Sequence, residues 1–155
     1  MKSIFLVLIF SFSFLSESTE WSPSQSSLKK ADKEVIDYFG KTLDKQEISS
    51  SPNHYSLSSN DSIFGYVCFE QSPSKHDQFD FVAIYSPNME LLKLRILVYR
   101  ENYGGEISNK RWLNQFVTRS PKKVQAISGA TISVESLKYS VSHLTETMEH
   151  WKSSN

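Results

Sequence analysis

Apolar residues recur at helical spacing in two segments of the chain, one towards each end. In the first segment they lie three or four positions apart, which predicts a helix with an N-cap at Ser26 or Ser27 and a last turn weakened by Gly40. In the second segment they form one stripe along about five turns, which predicts a long helix. The two stripes consist of Leu28, Ala31, Val35, Phe39 and Leu43, and of Val134, Leu137, Val141, Leu144, Met148 and Trp151.

Between these helices, apolar and polar residues alternate as they do in β-strands. The alternation predicts strands over 63–70, 79–85 and 92–99, the first of them with much of both faces covered. The four residues Ser86-Pro87-Asn88-Met89 suit a tight turn, since proline presets its first central position and asparagine tolerates the second. The last two strands are therefore predicted to form an antiparallel hairpin.

Three other segments have weaker patterns. Residues 47–61 are rich in Ser, Pro and Asn, which predicts a loop with a solvated His54. Residues 124–127 are short and mostly apolar, which predicts a strand just before the long helix. A short helix is predicted after an N-cap at Ser108, and its apolar residues are Trp112, Leu113 and Phe116.

These elements predict an α+β fold, a mainly antiparallel sheet with helices packed on one side. The length of 155 residues favours a single domain. We divide the chain into a leader at 1–20, an N-terminal helix and loop at 21–62, and the main domain at 63–155.

Composition and charge exclude some classes of function. The 17 Lys and Arg residues balance the 17 Asp and Glu residues, so net charge gives no reason to expect a nucleic acid, an acidic substrate or an anionic membrane surface as partner. The single cysteine, Cys68, cannot form an intramolecular disulfide, and we expect a buried, inert thiol.

The first twenty residues have the layout of a secretory signal peptide. Lys2 gives a positive end, Ile4 to Leu15 is apolar apart from serines, and a polar segment follows. The run from Ile4 to Leu15 is shorter than the roughly 20 residues that a membrane-spanning helix needs. We therefore expect cleavage between Ser16 and Glu20 and an exported protein, periplasmic or at the cell surface.

The segment QAISGATISVES holds four small residues, Ser128, Gly129, Ala130 and Thr131, directly before the long helix. The first amides of a helix have no partners within it and lie at the positive end of its dipole, so such a terminus can bind an anion, phosphate above all. Gly129 permits close approach, and the hydroxyls of Thr131 and Ser133 add donors. A tight connection whose hydroxyls only cap the helix remains an alternative.

A second segment, ENYGGEI, follows the clearest strand directly. It combines Gly104 and Gly105, which permit positive φ and close approach of a flat ligand, with Tyr103 and the carboxylates of Glu101 and Glu106. Taken alone it could also be a turn with solvated acids.

Three features of the sequence together resemble the FMN-binding domain family. They are ISGAT with the helix behind it, the glutamate-and-glycine loop after a hairpin, and the Trp-containing helix between them. The resemblance extends over about 63–151. It implies an FMN-binding-domain-like fold in which Thr131 holds the FMN phosphate, in many members through a phosphoester bond made by a flavin transferase from FAD. It implies that Ser128, Gly129 and Ala130 wrap the phosphate, and that the loop with Glu101, Tyr103, Gly104 and Gly105 lies by the isoalloxazine ring.

The chain departs from the family pattern at several positions. Asn102 and Tyr103 replace the usual Thr-Pro, and Glu106 stands where glycine is common. Gln125 stands six residues before Thr131, where an acidic residue is usual in the attachment motif. Covalent attachment at Thr131 and non-covalent FMN therefore both remain open.

The resemblance favours an exported electron-transfer flavoprotein, a redox component more than a classical enzyme, with a membrane or periplasmic redox partner. A flavin-binding module without turnover is the alternative, and a ligand-free protein-interaction domain is the third. A metal site at His143, Glu146 and His150 is less favoured than a solvated helix flank, and no nucleophile-elbow sequence supports a hydrolase.

Overall fold

The computed structural model describes residues 21–154, so the predicted signal peptide lies outside the described residues. Within them, five strands form one sheet in chain order, and each neighbouring pair is antiparallel. The strands are β1 (Asp44–Ile48), β2 (Ser51–Ser59), β3 (Ser62–Pro73), β4 (Gln78–Tyr85) and β5 (Leu91–Val98). The helices are α1 (Gln25–Phe39), α2 (Lys110–Leu113), α3 (Gln115–Thr118) and α4 (Thr131–Ser153), with short 3-10 helices at Gly105–Ser108 and Pro121–Lys123.

The α+β class is confirmed, but the prediction that the helices pack on one side is wrong. One core lies between the sheet and α4, α2 and α3, and it includes Cys68 of β3 and Leu137 of α4. A second core lies on the opposite face, where Ala31 and Val35 of α1 pack against Val67 of β3. Successive side chains of β3 point to opposite faces, so both faces of this apolar strand need a cover.

Helix α1 has a different N-cap from the predicted one. The side chain of Ser24, rather than that of Ser26 or Ser27, accepts a hydrogen bond from the Ser27 amide at 3.2 Å. The helix ends at Phe39, and the C-cap Gly40 donates its amide to Ile36 O and takes the left-handed conformation that turns the chain away from the helix. Leu43 therefore lies beyond the helix, although it is buried as the stripe predicted.

Ion pairs attach α1 to the sheet. The Glu34 carboxylate lies 2.7 Å from Lys93 Nζ and 3.2 Å from Arg95 Nε, both on β5. Burial raises the pKa of Glu34, but the hydrogen bond from Lys93 and the positive charges of Arg95, Lys93 and Lys110 outweigh it and leave the pKa below its usual value.

The loop predicted for 47–61 is wrong, because this segment contains the end of β1 and all of β2. The two strands form a hairpin that extends the sheet beyond β3. The prediction of a solvated His54 is also wrong: His54 is 5% exposed, and its Nε2 lies 2.9 Å from Glu70 Oε1 on β3. Most side chains of this hairpin are polar and meet solvent, so the segment lacks the alternation of apolar and polar residues that predicts a strand.

The predicted turn between β4 and β5 is confirmed. The Met89 amide donates to Ser86 O at 3.0 Å, and the Ser86 amide donates to Glu90 O at 2.8 Å. Met89, rather than Asn88, takes positive φ, at 64°, and its side chain is only 3% exposed. The burial of this side chain offsets the cost of a conformation that methionine rarely adopts.

Two predictions near α4 are corrected. Residues 124–127 form no strand: a 3-10 helix ends at Lys123, and an extended segment, in which Val124 is buried, leads to α4. The N-cap of α2 is Asn109, not Ser108, and its side chain accepts from the amides of Arg111 and Trp112. Within residues 21–154 no helix is long and apolar enough to cross a membrane.

Candidate functional site

A concave site of about 230 Å³ lies where the loop after β5 meets the beginning of α4. The turn between β3 and β4 closes one side of it. Its walls come from three segments that are far apart in the sequence, and they consist of Lys75, Tyr99, Glu101, Tyr103, Gly104, Gly129, Ala130, Thr131, Ile132 and Ser133.

The structure brings together most of the residues predicted for the site. Six of them line one cavity, namely Glu101, Tyr103, Gly104, Gly129, Ala130 and Thr131. Ser128 and Gly105 lie directly beside lining residues but do not themselves line the cavity. Sequence reasoning missed Lys75, Tyr99 and Ile132. Nothing near Lys75 in the sequence could have revealed its place, because only the β3–β4 pairing carries it to this end of the sheet.

The beginning of α4 has no protein cap. The N-cap residue is Ala130, which has no side-chain oxygen, and no side chain accepts from the amides of the first turn. The first turn also lacks an acidic residue. These amides and the positive end of the dipole of a 23-residue helix therefore face the cavity without a side-chain cap or a first-turn acid from residues 21–154.

The hydroxyl of Thr131 lies at this same terminus. Thr131 is the first residue of α4, it is exposed, and no described residue forms a hydrogen bond with its side chain. An anion held by the first-turn amides would therefore lie close to a free hydroxyl.

Two glycines give the cavity its shape. Gly104 and Gly129 have φ values of +82° and +83°, a conformation that other residues adopt at a cost. A Cβ atom at Gly104 would lie 2.6 Å from the Tyr99 hydroxyl and 3.5 Å from Ala130 Cβ. A Cβ at Gly129 would meet nothing within 4 Å. Gly104 is thus required by close packing as well as by φ, whereas Gly129 leaves open space above the helix terminus.

Tyr99 joins the two predicted segments. Its hydroxyl donates to Tyr103 O at 2.9 Å and lies 2.9 Å from the hydroxyl of Ser133 in the first turn of α4. The ring packs against Phe79, with 5.8 Å between centroids. The loop after β5 is therefore fixed relative to the beginning of α4 through one phenol group.

Glu101 uses one carboxylate oxygen to hold the β3–β4 turn. Its Oε1 accepts from Ser74 Oγ at 2.5 Å, from the His76 amide at 2.6 Å and from the Asp77 amide at 3.1 Å. The bond from Ser74 and those from the two amides lower the pKa of Glu101, so the carboxylate is charged at neutral pH. The contacts of Glu101 within residues 21–154 thus go to this turn.

Two apolar side chains stand exposed at the rim of the cavity. Tyr103 is 84% exposed and Ile132 is 52% exposed, one on each of the two segments. Trp112, which could also have stacked on a ligand, is instead buried against Phe116, and its indole N–H donates to Gln125 O at 2.8 Å. Among the aromatic residues that line the site, Tyr103 is therefore the most exposed.

The histidines of α4 lie away from the site. His143 and His150 are exposed along the helix, and the ring of His143 stacks on that of Tyr139. No group of three or more His, Cys, Asp or Glu side chains in the described part of the chain could hold a metal ion.

Fold and site together define an α+β domain in which a glycine loop and an uncapped helix terminus form one anion-accepting cavity. Residues 79–146 match the family model of the FMN-binding domain. The chain therefore contains an FMN-binding domain over these residues, as its sequence motifs predicted, and this domain supports a flavin-binding protein with FMN as the cofactor. No curated protein matches the chain. The matched residues contain every site residue except Lys75, which precedes them.

Proposed function

We propose that this protein is an exported electron-transfer flavoprotein whose FMN phosphate binds at the beginning of α4 and becomes esterified to Thr131. The observation that carries the proposal is the uncapped terminus of α4, with the free hydroxyl of Thr131, in the same cavity as the glycine loop. The matched FMN-binding domain includes both segments.

The residues of the cavity fit a phosphate with an extended organic group. The first-turn amides of α4 donate to the phosphate oxygens, and Gly129 leaves space for them. A cavity of about 230 Å³ is smaller than the roughly 300–1,000 Å³ of sites that enclose a whole ligand, so much of FMN extends beyond it. Tyr103 and Ile132 offer apolar surface there for a flat ring.

Attachment at Thr131 is a phosphoryl-group transfer. The Thr131 oxygen forms a bond to the phosphorus of the FMN half of FAD, the pyrophosphate P–O bond breaks, and AMP leaves. The hydroxyl proton passes to a base of the transferase or to solvent. The helix terminus holds the phosphate beside the hydroxyl, which lowers the entropic cost of bringing the two together, and its amides stabilise the developing negative charge.

Bound FMN would supply the electron transfer, and the protein would bind the ring and tune its potential. The apolar segment from Ile4 to Leu15 supports export. For an exported carrier we propose a membrane component as electron donor and an acceptor outside the cytoplasm. The flavin transferase is then a second partner, which acts once for each molecule.

The test is co-expression with a flavin transferase, followed by intact mass measurement and in-gel flavin fluorescence. Wild type should gain the mass of one esterified FMN, and Thr131→Ala should gain none. Thr131→Ser keeps a hydroxyl at the same position and serves as the matched control, with at least partial attachment expected. An unmodified wild type would rule out the covalent proposal.

A redox titration separates the electron carrier from a flavin-binding module without turnover. The carrier should be reduced and reoxidised reversibly, and it should accept electrons from a membrane donor. Flavin that cannot be cycled would support the module instead. Colourless protein whose melting temperature does not rise with added FMN would support a ligand-free interaction domain.

A further inference from the structure

Lys75 brings a positive charge to the cavity from outside the matched domain. It lies in the turn between β3 and β4 and is exposed, and it lines the cavity together with Thr131. Within residues 21–154 it makes no ion pair or hydrogen bond. Among the lining residues it is the only lysine or arginine, and Glu101 is the only acidic residue.

The turn that carries Lys75 is fixed from two sides. On one side, Glu101 accepts hydrogen bonds from Ser74, His76 and Asp77, the residues that flank Lys75. On the other side, Ser136 of α4 donates to Pro73 O at 2.5 Å, and its hydroxyl also bonds that of Ser72 at 2.5 Å. The backbone of the turn is therefore tied to α4 one to two turns from Thr131.

The charges in the cavity indicate a role for Lys75. A phosphate monoester carries between one and two negative charges at neutral pH, and the charged Glu101 lies in the same cavity. The helix terminus supplies only about half a positive charge. A full positive charge at the cavity wall offsets the carboxylate and attracts the phosphate.

We propose that Lys75 binds the phosphate of FMN, and that Glu101 acts as a positioning residue that holds the turn carrying Lys75. The inference rests on the proposed FMN site, but it concerns a residue outside the matched domain and gives Glu101 a role that involves no contact with the flavin ring. It does not depend on esterification of Thr131.

The test compares two flavins that differ in the phosphate alone. Protein prepared without a flavin transferase is titrated with FMN and with riboflavin, and binding is followed by flavin fluorescence. Lys75→Gln should weaken FMN binding about five- to tenfold and leave riboflavin binding unchanged. Lys75→Arg should restore most of the FMN affinity. Lys29→Gln, which removes an exposed lysine of α1 on the opposite face of the sheet, is the matched control.

Salt dependence adds a readout that loss of structure would not imitate. Raising KCl from about 0.05 M to 0.5 M should shrink the difference between wild type and Lys75→Gln, because salt screens an exposed charge pair. Melting temperatures of wild type and variant should agree, since Lys75 has no described partner to lose.

Glu101 variants test the positioning role. Glu101→Ala should weaken FMN binding but not riboflavin binding, and it should cause no further loss in a Lys75→Gln background. Glu101→Gln keeps an oxygen acceptor for the turn and removes the negative charge, so its FMN affinity should equal or exceed that of wild type.

The outcomes distinguish the two proposals. If wild type binds neither flavin, the FMN site itself is wrong. If wild type binds FMN and Lys75→Gln binds it equally well, only the role of Lys75 is overturned. If Glu101→Ala weakens riboflavin as much as FMN, Glu101 contacts the flavin and its positioning role is overturned.

Discussion

The hydroxyl groups of Tyr99 and Ser133 lie 2.9 Å apart and join the end of the β5 segment to the first turn of α4. The same phenol donates to Tyr103 O, so one oxygen fixes the glycine loop against the helix terminus. The space for this oxygen exists because residue 104 has no side chain: a Cβ there would lie 2.6 Å from it. Loop and helix are thus held at contact distance.

Gly104→Ala should therefore lower the free energy of unfolding by about 2–3 kcal/mol, the cost of positive φ together with a displaced hydroxyl. Gly129→Ala is the matched control, since its φ is nearly the same and a Cβ there meets nothing within 4 Å. It should cost only about 1 kcal/mol. Urea unfolding measures both variants.

Adding Tyr99→Phe to Gly104→Ala should cost less than the sum of the single changes, because the clash disappears with the hydroxyl. Equal destabilisation by Gly104→Ala and Gly129→Ala would contradict the packing role of Gly104.

How far the fold could be predicted depended on how regular the apolar pattern of each element is. Helix α4 buries one apolar stripe and strand β5 is mostly apolar, and their patterns located them within a few residues. Strand β1 forms one edge of the sheet and β2 lies next to it, and only Ile48, His54 and Leu57 of these two strands are buried, so their polar composition resembled a loop. The strand predicted over 124–127 was wrong for the opposite reason. The apolar residues of this segment pack beside α4 and pair with no strand.

The residues of the candidate site also differ in how far the sequence could predict them. Gly104, Gly129 and Thr131 could be found because small residues beside a predicted helix have a local reason to be there. Tyr99 and Lys75 could not, because their roles depend on distant partners: Ser133 for Tyr99, and Glu101 and Ser136 for the turn that carries Lys75. The residues next to Tyr99 and Lys75 in the sequence do not reveal these contacts with distant residues.

Glu34 should make stability depend on acid pH. Its pKa in the folded protein lies below the usual value of 4.5, so its ion pairs stabilise the fold above about pH 4.5. This stability is lost as pH falls through the lowered pKa. Glu34→Gln should lower the free energy of unfolding by about 1–3 kcal/mol at pH 7, and the difference from wild type should shrink towards pH 3.

The matched control is Glu135→Gln, which breaks the exposed pair of Glu135 with Lys138. It should cost less than about 1 kcal/mol. A gap between Glu34→Gln and wild type that persists unchanged to pH 3 would show that packing, rather than charge, carries the effect.

Cys68 should be unreactive in the folded protein. It is fully buried between β3 and α4, and burial, followed by the negative charge of Glu70, raises the pKa of its thiol well above the usual value. A thiol reagent such as DTNB should modify no cysteine in native buffer and one per chain in concentrated denaturant. Rapid modification of native protein would show that α4 opens readily from the sheet.

On the proposed esterification of Thr131, Gln125 should limit the rate of flavin attachment. Its backbone is held on both sides, since its amide donates to Gln115 Oε1 at 3.2 Å and its carbonyl accepts from Trp112 Nε1 at 2.8 Å. The residue is exposed, so Gln125→Asp can restore the acidic group usual at this position without disturbing these bonds. We expect Gln125→Asp to accelerate attachment, because the flavin transferase then meets a carboxylate six residues before Thr131.

A time course of intact mass, with purified transferase and FAD, measures the rates of wild type and Gln125→Asp. Gln46→Asp, a change of the same kind at an exposed position of β1, controls for the added charge. Gln125→Asp combined with Thr131→Ala should gain no flavin, which would locate the faster attachment at Thr131. Equal rates for wild type and Gln125→Asp would show that the transferase recognises the helix terminus and its small residues without the acidic side chain.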